Sequence, residues 1–454
     1  MTFAPEHMRT RPLCAALAAI LACALSATDA SARNAPDRPA AVAVANCNDS
    51  GTGSLREAVT NAADGDTIDL TQLGCSRISL TTGALATAVD NLTLVGPGAG
   101  LLTIDGAYNS GQDILFDLGT GSLTIQDMTL ANGYKYRADL PARGGCVYSL
   151  ASVTLDGAVL TNCQAHATGA GNRALGGAVY TSQDLTMIES IVSSGYVGNP
   201  DSPDGEGRGA GVYVRGSLIA KYSTIAGCSA PNLGSGSLGG GAFVYRSALI
   251  LNSTLSNNYA WHMGAIFAGR GSDDPVEIDN STITDNRAIA WAGVFANAPM
   301  KLQNSTIAFN HAFSGEYGGA AGIGVHVGGS TFDMESSILA NNTRQYYGEQ
   351  YDLTMFSGTL VGTNNVIVSA NIPVMPGTLQ VDPRLGPLRD NGGLTLTRMP
   401  MTGSPVIDAG NNVQGTSVDQ RGPGYPRVIG AAPDIGALEY LDDDDIFWDG
   451  FESR

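Results

Sequence analysis

Hydrophobic and polar residues alternate in short runs along most of this chain. Ser122-Leu123-Thr124-Ile125 and Lys301-Leu302-Gln303-Asn304 are typical. Alternation with period two, rich in β-branched residues, predicts strands that bury one face. Helical spacing is scarce outside Leu55–Ala63.

The runs recur. Asn252-Ser253-Thr254-Leu255, Asn280-Ser281-Thr282-Ile283 and Asn304-Ser305-Thr306-Ile307 are near copies, and looser copies align around Leu130, Leu160, Val192, Ile225 and Ile338. From Leu130 onward the gaps are 30, 32, 33, 30, 28, 24 and 31 residues. A second marker keeps the same step. Small residues and one aliphatic precede a ring at Tyr148, Tyr180, Tyr213, Phe243, Phe267 and Phe295, and at His326. A unit of about 30 residues with short strands and no helix is a solenoid coil. The expected fold is all-β, a right-handed parallel β-helix with a short N-terminal capping helix and an irregular C-terminal region. Successive coils would then lie about 4.8 Å apart.

An asparagine at one turn of each coil can hydrogen-bond along the stack and satisfy backbone groups leaving the sheets. Asn252, Asn280 and Asn304 form one expected row, and Asn258, Asn286 and Asn310 another. The Asn-Ser-Thr triplets also match the glycosylation acceptor pattern; their regular recurrence favours the ladder. The ring row is expected to be a packed stack rather than a ligand platform.

Composition narrows the classes. Glycine contributes 59 of 454 residues, charged residues are 15% and the net charge is −18. Such a surface repels nucleic acid and anionic membrane. A polyanionic ligand would need a local basic patch or bridging cations. The hydrophobic fraction of 43% is enough for a core.

Residues 1–32 carry Arg9 and Arg11, an apolar stretch from Leu13 to Ala27 and a small-x-small site at Ala30-Ser31-Ala32. They are expected to be a cleaved signal peptide, which implies a secreted or cell-surface protein without a transmembrane helix. Cys47 and Cys75 are expected to bridge near the N-terminal end. Cys146, Cys163 and Cys228 remain with their pairing open, and no C-x-x-C spacing occurs.

Residues 33–45 read as a linker, 46–120 as a cap and first coils, 121–375 as the repeats, 376–440 as a separate C-terminal region and 441–454 as an acidic tail. Ser54 followed by Glu57 fits a capping box opening the helix. The stretch Gly53-Ser54-Leu55-Arg56-Glu57-Ala58-Val59 resembles the CSLREA-type motif of bacterial surface β-helix proteins. Asp382-Pro383-Arg384-Leu385-Gly386-Pro387-Leu388, Asp390-Asn391-Gly392-Gly393, Gly403-Ser404-Pro405-Val406-Ile407-Asp408-Ala409-Gly410, Asp419-Gln420-Arg421-Gly422 and Asp434-Ile435-Gly436-Ala437-Leu438-Glu439 follow in order. They resemble the choice-of-anchor Q domain, within the pectin-lyase-like superfamily. The resemblance implies an extracellular β-helix and no particular enzyme activity. Arg421 is expected to pair with Asp408 or Asp434.

Candidate chemistry lies four residues past each anchor. That row reads Tyr134, Gln164, Tyr196, Ser229, Tyr259, Arg287, His311 and Asn342. It places Tyr259, Arg287 and His311 in neighbouring coils, with Trp261, His262, Trp291, Glu316 and Tyr317 just after. Rings with polar fingers suit carbohydrate, because sugar faces pack on rings while hydroxyls need donors and acceptors. The expected ligand-binding set is Tyr259, Trp261, His262, Arg287, Trp291, His311 and Tyr317. Arg287 and His311 are also the candidates for proton abstraction beside a uronate. No paired-carboxylate, Gly-x-Ser-x-Gly, P-loop or His-Glu-x-x-His signature occurs. Asp201, Asp204 and Glu206 are calcium candidates, but their spacing matches no calcium loop, so a solvated acidic loop is expected and no cofactor. The sequence favours a monomeric, non-catalytic binder of polysaccharide or cell-surface glycan, or an adhesin. The alternative is a lyase or hydrolase acting on an acidic polysaccharide.

Overall fold

The computed structural model describes residues 41–441, except 109–113, 170, 199–204, 232–235, 271–273, 314–318 and 345–349; for 327–330 it describes the backbone alone. The segment read as a signal peptide, the expected linker up to residue 40, the acidic tail from 442, and Asp201, Asp204, Glu316 and Tyr317 lie outside the described residues.

The alternation makes the predicted coils. In one circuit, Val147–Ser149 and Ser152–Asp156 lie on a first wall, Val159–Thr161 on a second and Gln164–Thr168 on a third. Arg173–Leu175 then adds to a short three-stranded sheet before Val179–Thr181 restarts the first wall. Each strand pairs in parallel with its counterpart one circuit on: Val147 with Val179, Leu160 with Val192, Gln164 with Tyr196. Among the described residues the three walls hold 20, 11 and 8 strands, the first with two per coil. The chain is a parallel β-helix. Inward positions such as Leu123, Leu155, Leu160, Val192, Leu255 and Ile307 are fully buried, and each contributes about 1.5–3 kcal/mol by leaving water.

The corners explain the Asn-Ser-Thr repeat, differently from the expectation. Asn252, Asn280 and Asn304 take φ of 48°, 45° and 44°, the left-handed region that asparagine tolerates best among residues with a Cβ. They do not bond to one another. Asn252 donates to the carbonyl of Asp419 and Asn280 to that of Val418. The ladder at this corner runs on serine instead: the backbone N–H of Ser223, Ser253, Ser281 and Ser305 each donates to the next serine's Oγ at 3.0–3.1 Å. The second asparagine row is a ladder as expected. Asn258, Asn286 and Asn310 are buried and linked by Nδ2–H···Oδ1 bonds of 2.9–3.0 Å. It continues to Asn342 and ends on the carboxylate of Asp352.

The ring row is a stack. It starts one coil earlier than expected, at Phe116, and runs through Tyr148, Tyr180, Tyr213, Phe243 and Phe267 to Phe295, with centroids 4.9–5.9 Å apart. His326 is not its next member, because Phe295 pairs with Gly324 and a register shift follows Val325. In the same coil Ile307 aligns with Leu339, not Ile338. A slip of one residue exchanges the two faces of a strand.

Residues Ala41–Ala43, within the segment read as linker, form a strand beside Thr67–Asp69. The helix Leu55–Asn61 covers the first coil, and its N-cap Ser54 Oγ accepts from the Glu57 N–H. Disulfides join Cys47 to Cys75 and Cys146 to Cys163. Cys228 is a buried free thiol, pushed up to about 12 by burial. No helix among the described residues is long and apolar enough to cross a membrane.

The C-terminal region folds back along the second wall. Gln420 bonds to Ser253, Thr254 and Thr282. Gly436 and Ala437 donate to Ser336 and Thr306. Leu385, Val406 and Ile435 pack on Ile338 and Ala308. Arg421 pairs with Asp419 rather than Asp408 or Asp434, both partners wholly buried, because the chain turn places that carboxylate two residues away.

Candidate functional site

Among the described residues nothing covers the third wall as the C-terminal region covers the second. Strands Tyr259–His262, Arg287–Ala290 and His311–Ala312 lie side by side on the third wall. Tyr259 aligns with Arg287 and Arg287 with His311. Their intervening residues, Ala260, Ala288 and Ala312, are the inward, fully buried positions. Tyr259, Arg287 and His311 therefore point outward from successive coils, and Trp261, two residues past Tyr259, shares their face. The row continues from His311 to Thr343 instead of Asn342, since Asn342 belongs to the inner ladder.

Tyr259, Arg287 and His311, but not Trp261, line a groove. One part, about 300 Å³, is bounded by Asp285, Arg287, Phe309, His311 and Phe313. It is continuous with a wider part of about 620 Å³ that adds Ser229, Asn257 and Tyr259. Arg287 is exposed, and among the described residues no carboxylate forms an ion pair with it. Asp285 cannot serve as that partner, because Arg398 of the C-terminal region holds both its oxygens at 2.7–2.8 Å. Arg398 also lies over the Phe309 ring, 4.1 Å from its centroid. The C-terminal region thus fixes one bank of the groove.

His311 Nδ1 sits 2.9 Å from Thr343 Oγ1, and the Phe313 ring meets the imidazole edge to face at 4.9 Å. Burial first, and then the Arg287 guanidinium, hold the imidazole below its ordinary range, so it is neutral at pH 7. A neutral imidazole beside an uncompensated guanidinium can accept a proton while the guanidinium holds an anion.

Not all of the expected set gathers here. His262 faces inward and meets Trp291 at 5.8 Å. Trp291 packs edge-on against Phe295, at the end of the ring stack. Trp291 belongs to that outer cluster, His262 packs behind it, and neither lines the groove. Glu206 bonds Arg173 and Arg208, which occupy the carboxylate expected for calcium. Among the described residues no group of three His, Cys, Asp or Glu could hold a metal ion.

Several groove residues escaped the sequence reading. Phe313 follows His311 by two and was within reach of the alternation rule. Asp285 and Phe309 precede Arg287 and His311 by two, at corner positions with φ of 59°, where no hydrophobic signal marks them. His166 escaped because it lies two residues past the row. It stacks between Tyr134 and Tyr196 on the same wall, at 4.8 and 5.0 Å.

No protein-family profile matches this chain. No curated protein matches it. Among solved structures it is similar to the crystal structure of pectate lyase Pel9A, with a TM-score of 0.37 and 13% identity over 89% of this chain and 98% of that one.

Proposed function

We propose that this chain is an exported β-helix that binds an acidic glycan in the groove of the third wall. One observation carries the reading: Arg287 is an exposed cation with no ion-pair partner among the described residues, held by a rigid sheet between Tyr259 and His311 and beside Phe313. A sugar acid needs an apolar surface for its CH face and a forked donor for its carboxylate, and this row offers both. Coils about 4.8 Å apart place successive side chains at intervals close to the length of one extended pyranose unit. Two disulfides fit an oxidising compartment. The anchor-like C-terminal motifs and the leader-like residues 1–32 support retention at, or release from, a cell surface.

The neutral His311 beside Arg287 favours a second reading, a lyase that abstracts a proton next to a uronate. One experiment separates the two. Oligomers of galacturonate, of mannuronate and guluronate, and of neutral hexoses are titrated calorimetrically into the protein, and the same mixtures are followed for the ultraviolet absorbance of unsaturated uronates. Binding of acidic oligomers without turnover, lost in Arg287→Ala, supports the binder. Turnover abolished by His311→Ala makes it the lyase. Failure of every acidic oligomer to bind overturns the glycan reading.

A further inference from the structure

We infer a second anion-binding site at the N-terminal end of the ring stack, independent of the groove over Arg287. The stack is closed along its middle: Tyr180, Tyr213 and Phe243 are buried beneath Leu175, Leu238 and Met263. At its start it is open. Phe116 aligns with Tyr148 on one side and with Ala86 on the other. Ala86 is exposed, so one face of Phe116 looks across the place where the next ring of the file would lie.

That place is a cleft of about 250 Å³ lined by Thr82, Gly83, Ala84, Ala86 and Phe116, with Lys135 and Arg137. It adjoins a second cleft of about 390 Å³ that adds Leu140, Pro141, Arg143 and Tyr148. No acidic side chain lines either one among the described residues, in a chain with 42 acidic and 24 basic residues. Arg137 and Arg143 make the described lining of these clefts basic.

The cations arise from the topology. Tyr134–Ala138 is the first strand of the third wall among the described residues. Lys135 and Arg137 align with Ala165 and Ala167 of the next coil, both fully buried. Among the described residues no third-wall strand pairs with them from the preceding coil. Lys135 is already engaged and lies 5.3 Å from the Phe116 ring centroid. Arg143 lies over Tyr180, and its buried Nε has no hydrogen-bond partner among the described residues. Arg137 is exposed. Arg137 therefore remains to receive an anion beside the open face of Phe116, with Arg143 further along in the adjoining cleft. The ligand class is a saturated ring with one CH-rich face that bears a carboxylate, and we assign it as a uronate unit of an acidic oligosaccharide. An inward charge on an edge strand also deters strand addition, and the test must separate that role from binding.

The experiment titrates galacturonate oligomers and their neutral counterparts into the full chain at low and high salt. Four proteins are compared: the native chain, Ala86→Phe, Arg137→Glu and Arg287→Ala. Ala86→Phe fills the vacant place and leaves every cation in position. The expected result is a salt-sensitive binding step that persists in Arg287→Ala, weakens at least tenfold in Arg137→Glu and disappears in Ala86→Phe. Chromatographic size and melting temperature verify that each variant is folded. Unchanged binding in both folded variants, Ala86→Phe and Arg137→Glu, overturns the inference. So does a change confined to self-association in Arg137→Glu, which would assign these charges to edge protection. A preference for benzoate-type acids over uronates overturns the ligand class. Loss of binding in Arg287→Ala alone would refute this site and leave the groove reading intact.

Discussion

The second and third walls of this β-helix are made by the same coils with the same parallel register, yet they end in opposite states. On the second wall the outward residues Thr254, Thr282, Thr306 and Ile338 are buried under the C-terminal region. On the third, one corner away, Tyr259, Arg287 and His311 stay open. Both sets of strands pair in parallel with the coils before and after them. What differs is what the side chains offer a neighbour. Thr254, Thr282 and Thr306 present short hydroxyls that bond backbone and Gln420, whereas a row of large rings and a guanidinium prevents flat packing. A repeated coil thus yields one covered face and one exposed face by changing the residues of a single register position.

The largest expected effect breaks the covered wall. Arg421→Ala removes half of a wholly buried ion pair and strands Asp419, which should cost about 3–5 kcal/mol in urea unfolding. A loss below about 1 kcal/mol would mean that Asp419 is relieved by water and the region is loosely docked. Next comes the open wall. Arg287→Ala should leave the melting temperature unchanged and weaken acidic-oligosaccharide binding by about 1.5–3 kcal/mol, the range for hydrogen bonds to charged groups. Equal losses of stability and affinity would make Arg287 a structural residue.

A third test concerns the asparagine ladder that ends between these walls. Burial pushes Asp352 up to about 7 despite the donors at Asn342 and Ser369. Its folded value lies above its unfolded one, so the protonated form is favoured by folding. That contribution is present in full below the ordinary aspartate range and is lost as pH rises through about 7. Stability should therefore decline with rising pH across that window by roughly 1.4 kcal/mol per unit at most. Asp352→Asn should flatten the decline, and an unchanged slope in the variant would assign it elsewhere. The smallest effect is expected at the surface pair Lys301–Glu277, which bridges neighbouring coils at 3.0 Å with both side chains substantially exposed. Glu277→Ala should cost no more than about 0.5 kcal/mol, and less in high salt.

The coil was legible because it is written redundantly. Two markers keep one period, and alternation states which residues face inward. The row Tyr259, Arg287 and His311 could be placed in adjacent coils from spacing alone. Spacing failed at two points: taking Ile338 rather than Leu339 as the anchor put Asn342 in place of Thr343, and His326 fell out of the ring row at the register shift after Val325. Asn252 and Asn280 were rightly seen to recur, but their recurrence serves a left-handed corner and a docked segment rather than bonds between coils.

What the residues alone determined is whatever repeats locally: strand period, corner asparagines, the ring file and the Cys47–Cys75 bridge. Only tertiary structure decided which wall is covered, which carboxylate answers Arg421, why Asp285 is spent on Arg398, and where His262 and Trp291 belong. The physical reason is distance along the chain. Gln420 meets Ser253, and Arg398 meets Asp285, across more than a hundred residues, and no local periodicity encodes a contact made once.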